Sequence, residues 1–294
     1  MSTFWSWFVA VISIGMIVAC YWLIKWTTKR RSGEAAEGDV TGHTWDGNLE
    51  EYNNPLPNWW LWLFYITIIF ALIYLVLYPG LGNFKGVLNW SSTGQYQQEM
   101  QRADQEYGPI FATYAETDIP QLAKQDEAMA AGRRLFLTYC ATCHGSDAGG
   151  ARGFPSLKDD AWLWGGEPEA IKTSILDGRK GVMPAHDRLE DEAIDNVAAY
   201  VQSLSGRDVD QAQVSAGKEV FSQNCAVCHG EDGTGKTAMG APDLTDNIWL
   251  YGGSPGVIRQ TIRHGREGEM PSHREILGED KAHLLAAYVY SLSD

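Results

Sequence analysis

The sequence predicts a mainly α-helical protein with two N-terminal membrane helices followed by two copies of a small helical domain. Three observations carry this prediction. Two long stretches lack charged residues, the later part of the chain is internally duplicated, and the duplicated part shows helical periodicity without strand patterns. The composition, 45% hydrophobic and 20% charged over 294 residues, excludes a disordered chain and a protein buried wholly in a bilayer.

Each of the two apolar stretches is long enough to cross a bilayer. Residues 4–24 and 59–79 contain no Asp, Glu, Lys or Arg, and about 20 helical residues cover about 30 Å. The alternatives are a buried core helix or, for the first stretch, a cleaved signal peptide, but no basic segment precedes residue 4. Tryptophans cluster near the ends of both stretches, as in the aromatic belt of membrane helices. Cys20, inside the first stretch, is expected to be a packing residue.

Basic residues set the expected orientation. Four of them directly follow the first stretch and none precedes it: Lys25, Lys29, Arg30 and Arg31. Because positive charge favours the cytoplasmic side, we expect residues 25–58 to form a cytoplasmic loop. The N-terminus and everything after residue 79 should then lie on the opposite, periplasmic side.

The chain is acidic, with 23 Lys and Arg against 37 Asp and Glu and a formal charge of −14. Nucleic acid is therefore not an expected partner. Most of the imbalance lies in the part predicted to be exported, since residues 80–294 contain 19 basic and 31 acidic side chains. This acidity would either steer a basic partner or only keep the region soluble, and the sequence leaves both open.

A polar linker, residues 80–125, connects the second apolar stretch to the duplication. It contains SSTGQYQQEMQRADQEYGP, which fits a helix lying on a larger complex or a flexible tether equally well. The duplication then gives two predicted domains, residues 126–206 and residues 211–294.

The two copies match in blocks. GRRLFLTYCATCHG (residues 132–145) matches GKEVFSQNCAVCHG (residues 217–230) at an offset of 85, and residues 161–186 match residues 248–273 at an offset of 87. In each copy the pattern predicts a helix running into the C-x-x-C-H segment, a middle helix and a final amphipathic helix, with no strands.

The repeated C-x-x-C-H segment is the attachment signature of a c-type haem. Cys140 and Cys143 in the first copy, and Cys225 and Cys228 in the second, are spaced to place two thiols on one side of a helical turn. The next residue, His144 or His229, is the predicted proximal ligand of the iron. A zinc site would need four ligands, which a copy does not supply, and a thiol redox pair would not need the histidine. Two covalently bound haem c groups are therefore expected.

A sixth ligand is expected downstream in each copy. Met183 and Met270 occupy the same repeat position, each before a proline. Their rivals are His186 and His273, whereas Met239 occurs only in the second copy. The spacing does not say which methionine serves which haem. With both axial positions filled, the expected role is electron transfer, and no catalytic residue is predicted on this chain.

Residues 125–294 resemble two tandem class I cytochrome c domains. HTWDGNLEEYNNPLPNWW (residues 43–60), directly before the second apolar stretch, is similar to a signature of the CcoP family, the membrane-anchored diheme subunits of cbb₃-type cytochrome c oxidases. A YGPI-containing linker (residues 107–110) and the domain order also resemble that family. From the residues alone, the motif indicates only a proline-terminated approach to a helix.

The resemblance implies a subunit of an oxygen-reducing, proton-translocating complex in a bacterial inner membrane. It would accept electrons from soluble or membrane-bound cytochromes c and pass them through two haems toward the monohaem subunit and then the catalytic subunit. A free-standing membrane-anchored diheme carrier is the alternative. A diheme peroxidase and a haem-based gas sensor are disfavoured, because each needs an open iron position and both copies keep a methionine.

Overall fold

A computed structural model describes residues 1–293, so Asp294, at the end of the second predicted domain, lies outside the described residues. The chain divides into two compact units, Met1–Asp104 and Gln105–Asp294. Helices dominate both units, as the sequence predicts.

The first unit contains two long apolar helices, α1 (Thr3–Thr27) and α2 (Asn58–Leu77). Their mean hydropathies are 2.3 and 2.4, and only 6% and 0% of their apolar stretches are buried. They touch through Tyr21 and Tyr65, whose ring centroids lie 6.1 Å apart. Both helices are thus long and apolar enough to cross a membrane, and their exposed apolar surface suits a lipid surrounding.

A β-hairpin lies between these helices, a feature that the sequence reasoning missed. Strand β1 (Val40–Trp45) pairs antiparallel with β2 (Leu49–Tyr52). The turn contains Asp46 and Gly47, both with positive φ, and an Asp-Gly pair between short alternating segments is a hairpin signal. The first ten residues of the HTWDGNLEEYNNPLPNWW segment, residues 43–52, therefore form most of a hairpin rather than only an approach to α2.

The linker is largely helical. Helix α3 (Ser92–Ala115) contains Pro109, and the short helix α4 (Ile119–Leu122) follows it. Ile119 and Leu122 are 1% and 0% exposed and belong to a hydrophobic core of the second unit. The residues just before position 125 thus pack with the first repeat instead of forming a free tether.

The remaining elements of the second unit follow the duplication closely. Those of the first repeat are α5 (Asp126–Tyr139), α6 (Ala141–His144), α7 (Pro168–Asp177), β3 (Arg179–Met183) and α8 (Asp191–Leu204). Those of the second are α9 (Gln211–Asn224), α10 (Ala226–His229), a 3₁₀ turn (Thr237–Met239), α11 (Pro255–His264), β4 (Arg266–Met270) and α12 (Arg274–Tyr290), which is broken at Gly278.

The repeats exchange their final helices. The first core combines α5 and α7 of the first repeat with α12 of the second, and the second core combines α9 and α11 with α8. Equivalent aromatic contacts mark the exchange. The rings of Phe136 and Tyr288 lie 5.5 Å apart in the first core, and those of Tyr200 and Phe221 lie 5.1 Å apart in the second.

Glycines allow these exchanged helices to cross closely. A Cβ at Gly132 on α5 would lie 2.7 Å from the Cβ of Tyr288, and one at Gly217 on α9 would clash with the carbonyl oxygen of Asn196 on α8. Both glycines begin the matched C-x-x-C-H blocks, so the sequence alone indicates that they occupy equivalent positions. It does not indicate which helix each glycine contacts.

The crossing point is a two-stranded antiparallel ribbon formed by β3 and β4, which pair from Arg179 opposite Met270 to Met183 opposite Arg266. The expectation that the repeats contain no strands is therefore wrong. Each strand has five residues with a glycine at its centre, and its partner lies in the other repeat, so neither length nor periodicity marks it in the sequence.

We expect Leu284→Ala to lower the free energy of unfolding by about 2–5 kcal/mol, because Leu284 is fully buried and its truncation leaves a cavity in the first core. Unfolding of the purified full chain in mild detergent, followed by circular dichroism, would measure this. Ile276→Ala on the same helix is the control, since Ile276 is 60% exposed and its loss should cost less than about 0.5 kcal/mol. Equal effects would show that α12 does not fill the first core.

Candidate metal centres

The two C-x-x-C-H segments adopt the same backbone turn. In the first, Cys140 directly follows α5 as its C-cap, and its carbonyl accepts hydrogen bonds from the backbone N–H groups of Cys143 (3.1 Å) and His144 (3.0 Å). In the second, the carbonyl of Cys225 accepts the corresponding bonds at 3.1 and 3.0 Å. The turn brings the two cysteines and the histidine of each segment onto one short stretch of backbone.

Both histidines are buried and held by one ring nitrogen. Nδ1 of His144 lies 2.9 Å from the carbonyl oxygen of Pro155, and Nδ1 of His229 lies 3.1 Å from that of Pro242. Because a carbonyl oxygen only accepts hydrogen bonds, Nδ1 carries the proton and Nε2 keeps a free lone pair. A backbone carbonyl fixing one nitrogen is the usual arrangement for a histidine that binds metal through the other.

Electrostatics favours the neutral, metal-binding form of both rings. Burial is the largest effect and lowers the pKa of His144 below its ordinary value; the bond to Pro155 partly opposes this, and nearby His273 lowers the pKa by a smaller amount. For His229 burial again lowers the pKa and His186 adds to this. The segment M-P-x-H of each repeat thus lies beside the C-x-x-C-H segment of the other.

The methionines follow the same exchange. Met270 packs against the first core, as does Cys140, and Met183 packs against the second core, as does Cys225. The structure therefore places each predicted methionine with the other repeat's C-x-x-C-H segment, a choice that the spacing left open. The rivals His186 and His273 are half-buried three residues further on, and Met239 is 51% exposed.

Two glycines at the ends of the middle helices permit this approach. Gly178, after α7, has φ +72° and lies against the carbonyl oxygen of Met270, and Gly265, after α11, has φ +70° and lies against that of Met183. A Cβ at either position would clash with that oxygen, and the positive φ would strain a larger residue. Close packing thus fixes each methionine's segment.

The first cysteine of each pair, Cys140 or Cys225, is partly buried from solvent. Burial raises the pKa of Cys140 to about 11 and that of Cys225 to about 11, with a smaller contribution from the neighbouring Cys143 or Cys228. None of the five cysteines, all of which lie among the described residues, forms a disulfide.

Several site features escaped the sequence reasoning. The carbonyls of Pro155 and Pro242 come from blocks that repeat as FPSL and APDL, and Arg179 and Arg266 repeat as G-R before each methionine. A further one is the Trp249 indole, whose Nε1–H is buried without a hydrogen-bond partner among the described residues. A buried unpaired donor beside a proposed haem pocket fits a polar edge of the group that would fill it.

The fold and the sites together define a class: an anchored chain that carries c-type cytochrome domains. The family model described as cytochrome c oxidase, cbb3-type, subunit III matches residues 127–201 and 212–289, and the N-terminal domain of cytochrome oxidase-cbb3, FixP, matches residues 37–85. Cytochrome c domains carry haem c, so this is the cofactor implied.

Curated relatives agree over most of the chain. Cbb3-type cytochrome c oxidase subunit CcoP of Rubrivivax gelatinosus is 44% identical over 98% of this chain and 95% of its own length. CcoP of Cereibacter sphaeroides is 39% identical over 90% and 97%, and FixP of Azorhizobium caulinodans is 42% identical over 86% and 92%. The chain belongs to the CcoP/FixP family of cbb3-type oxidase subunits, and the resemblance drawn from the sequence is confirmed.

Proposed function

We propose that this chain receives electrons from periplasmic cytochromes c and passes them through two c-type haems toward the monohaem and catalytic subunits of its oxidase. Helices α1 and α2 would span the bacterial inner membrane, with residues 25–58 in the cytoplasm and both the N-terminus and the haem domains in the periplasm. The pairing of two buried, Nδ1-anchored histidines with two exchanged methionines is the observation that carries this proposal.

The proposed ligand sets are crossed between the repeats. The haem attached at Cys140 and Cys143 would take His144 and Met270, and the haem attached at Cys225 and Cys228 would take His229 and Met183. This assignment rests on the packing of each methionine in the core that includes the first cysteine of the other repeat's C-x-x-C-H segment. It also agrees with the approach of His273 to His144 and of His186 to His229.

When bound, each haem supplies a reversible one-electron change of its iron, and methionine with histidine favours the ferrous form. The chain's own residues would position the ligands of each iron. Pro155 and Pro242 hold the histidine rings through Nδ1, and Gly178 and Gly265 let the methionine segments close over the sites. With His144 and Met270, or His229 and Met183, holding the iron, neither haem would offer oxygen a binding position, and oxygen reduction would fall to another subunit.

A first test concerns the crossed ligands. In a chain left with one haem by Cys225→Ser and Cys228→Ser, Met270→Leu should abolish the red absorption band of methionine-ligated ferric haem, because that thioether is its sixth ligand. Met183→Leu in the same background is the matched control and should leave the band in place. The reverse result would show that each methionine serves the haem of its own repeat.

A second test concerns the oxidase. We expect purification through this chain in mild detergent to yield two c-type haems on the chain together with b-type haem, copper and cyanide-sensitive oxygen uptake from reduced cytochrome c. Haem staining after denaturing electrophoresis would assign the covalent haems. Recovery of the two c-type haems alone, from membranes in which other complexes stay intact, would indicate a free-standing carrier instead.

A third test concerns the donor. Residues 80–294 contain 19 basic and 31 acidic side chains, so a basic cytochrome c should be attracted at low ionic strength. We expect its second-order rate of electron delivery to fall about tenfold or more between about 10 and 200 mM salt. Reduction by a small neutral reductant is the control and should not change. A rate independent of salt for the basic donor would exclude the acidic surface as its docking site.

A further inference from the structure

Two arginines at equivalent positions of the repeats have no counter-ion. Arg179 and Arg266 are half-buried, and among the described residues neither has a carboxylate oxygen within 4 Å. This is unexpected in a chain of charge −14, where acidic partners are plentiful. A partly buried charge without an opposite charge is unfavourable, so the pair points to an anion that would complete each site.

Neighbouring side chains hold both guanidinium groups in fixed positions. Arg179 donates from Nε to Ser174 Oγ at 2.8 Å and lies 5.2 Å from the centroid of the Trp164 ring. Arg266 donates from Nε and Nη2 to Thr261 Oγ1 at 3.0 and 2.8 Å and lies 4.5 Å from the centroid of the Tyr251 ring. In both, Nη1 has no partner among the described residues, which leaves two donor hydrogens available.

The ribbon register relates each arginine to one methionine. Arg179 is directly opposite Met270, and Arg266 is directly opposite Met183. Residues directly opposite in an antiparallel pair have their side chains on the same face. The burial pattern agrees, because these four side chains are half-buried while Lys180 and Val182 on the other face are exposed.

We propose that Arg179 and Arg266 each bind a propionate carboxylate of the haem whose iron takes the methionine opposite, so that Arg179 serves the first site and Arg266 the second. The inference rests on the proposed haem ligation. Haem is the one anionic group that the family implies for these sites, and a guanidinium with two free N–H groups matches a carboxylate. Arg207, a third half-buried arginine, is set apart because its Nη1, the nitrogen left without a partner in Arg179 and Arg266, donates to the carbonyl of Gly253, and because it has no counterpart in the first repeat.

Redox titration of the purified full-length complex would test the proposal. Removing a positive charge beside an iron centre favours its ferric form, so Arg179→Gln should lower the midpoint potential of one c-type haem and Arg266→Gln that of the other. Arg179→Lys, which keeps the charge, should largely restore the potential. Lys180→Gln is the control, because Lys180 lies on the outer face of the ribbon and pairs with exposed Glu267 at 2.9 Å. This variant should not appreciably shift the midpoint potential of either haem.

Resonance Raman spectra provide a readout that does not depend on the glutamine variants folding. In Arg179→Lys the propionate bending band of one haem should shift, because an ammonium replaces the planar guanidinium. Unchanged propionate bands, or potentials that respond no more to Arg179→Gln than to Lys180→Gln, would overturn the proposal. The haem stain and the absorption band of methionine-ligated haem, recorded on the same samples, test the proposed function separately. Their absence from the unmutated chain would refute the proposed haem ligation itself.

Discussion

The pairing of β3 with β4 is the constraint on which the rest of the haem-domain unit depends. Five residues from each repeat meet in one register, with Gly181 opposite Gly268 at the centre. A slip of one residue would turn Met183 and Met270 to the solvent face, so the register is specified by what the inner face buries. The same crossing sends α8 and α12 into the opposite cores, which makes the two repeats one folding unit.

The ribbon also sets the distance between the two proposed iron ligands. Met183 is opposite Arg266, four residues before Met270 on the same strand, so the two methionine backbones are separated by about 13 Å at about 3.3 Å per residue. The central glycines add no side chains between them. Instead, Trp164 lies 4.0 Å from a Cβ position at Gly181, and the Tyr251 hydroxyl lies 3.7 Å from one at Gly268. The short distance between the two methionines, with the aromatic rings of Trp164 and Tyr251 beside the centre of the ribbon, suits electron exchange between the two proposed haems.

Local features of this fold could be predicted from the sequence, and long-range ones could not. Helices such as α7 and α11 follow from periodicity, and the C-x-x-C-H turns from a short motif. Strand β3, RKGVM, has a central glycine and its partner 87 residues away, so no local signal marks it. The choice of methionine for each site depends on that partner and stayed open for the same reason. The β1–β2 hairpin differs, since its Asp-Gly turn could have been recognised.

The near-identity of the two sites limits what can make electron transfer directional. The histidine anchors differ by only 0.2 Å, at 2.9 and 3.1 Å, and the proposed ligands are the same residue types. A difference in potential must therefore come from residues that break the repeat. Trp164 is replaced by Tyr251 beneath the arginine, and only the second site has Arg207 stacked 5.1 Å from the Trp249 ring, whose N–H is unpaired. Because a positive charge favours the ferrous form of a nearby iron, Arg207 is a charged difference between the two proposed sites that would separate their potentials.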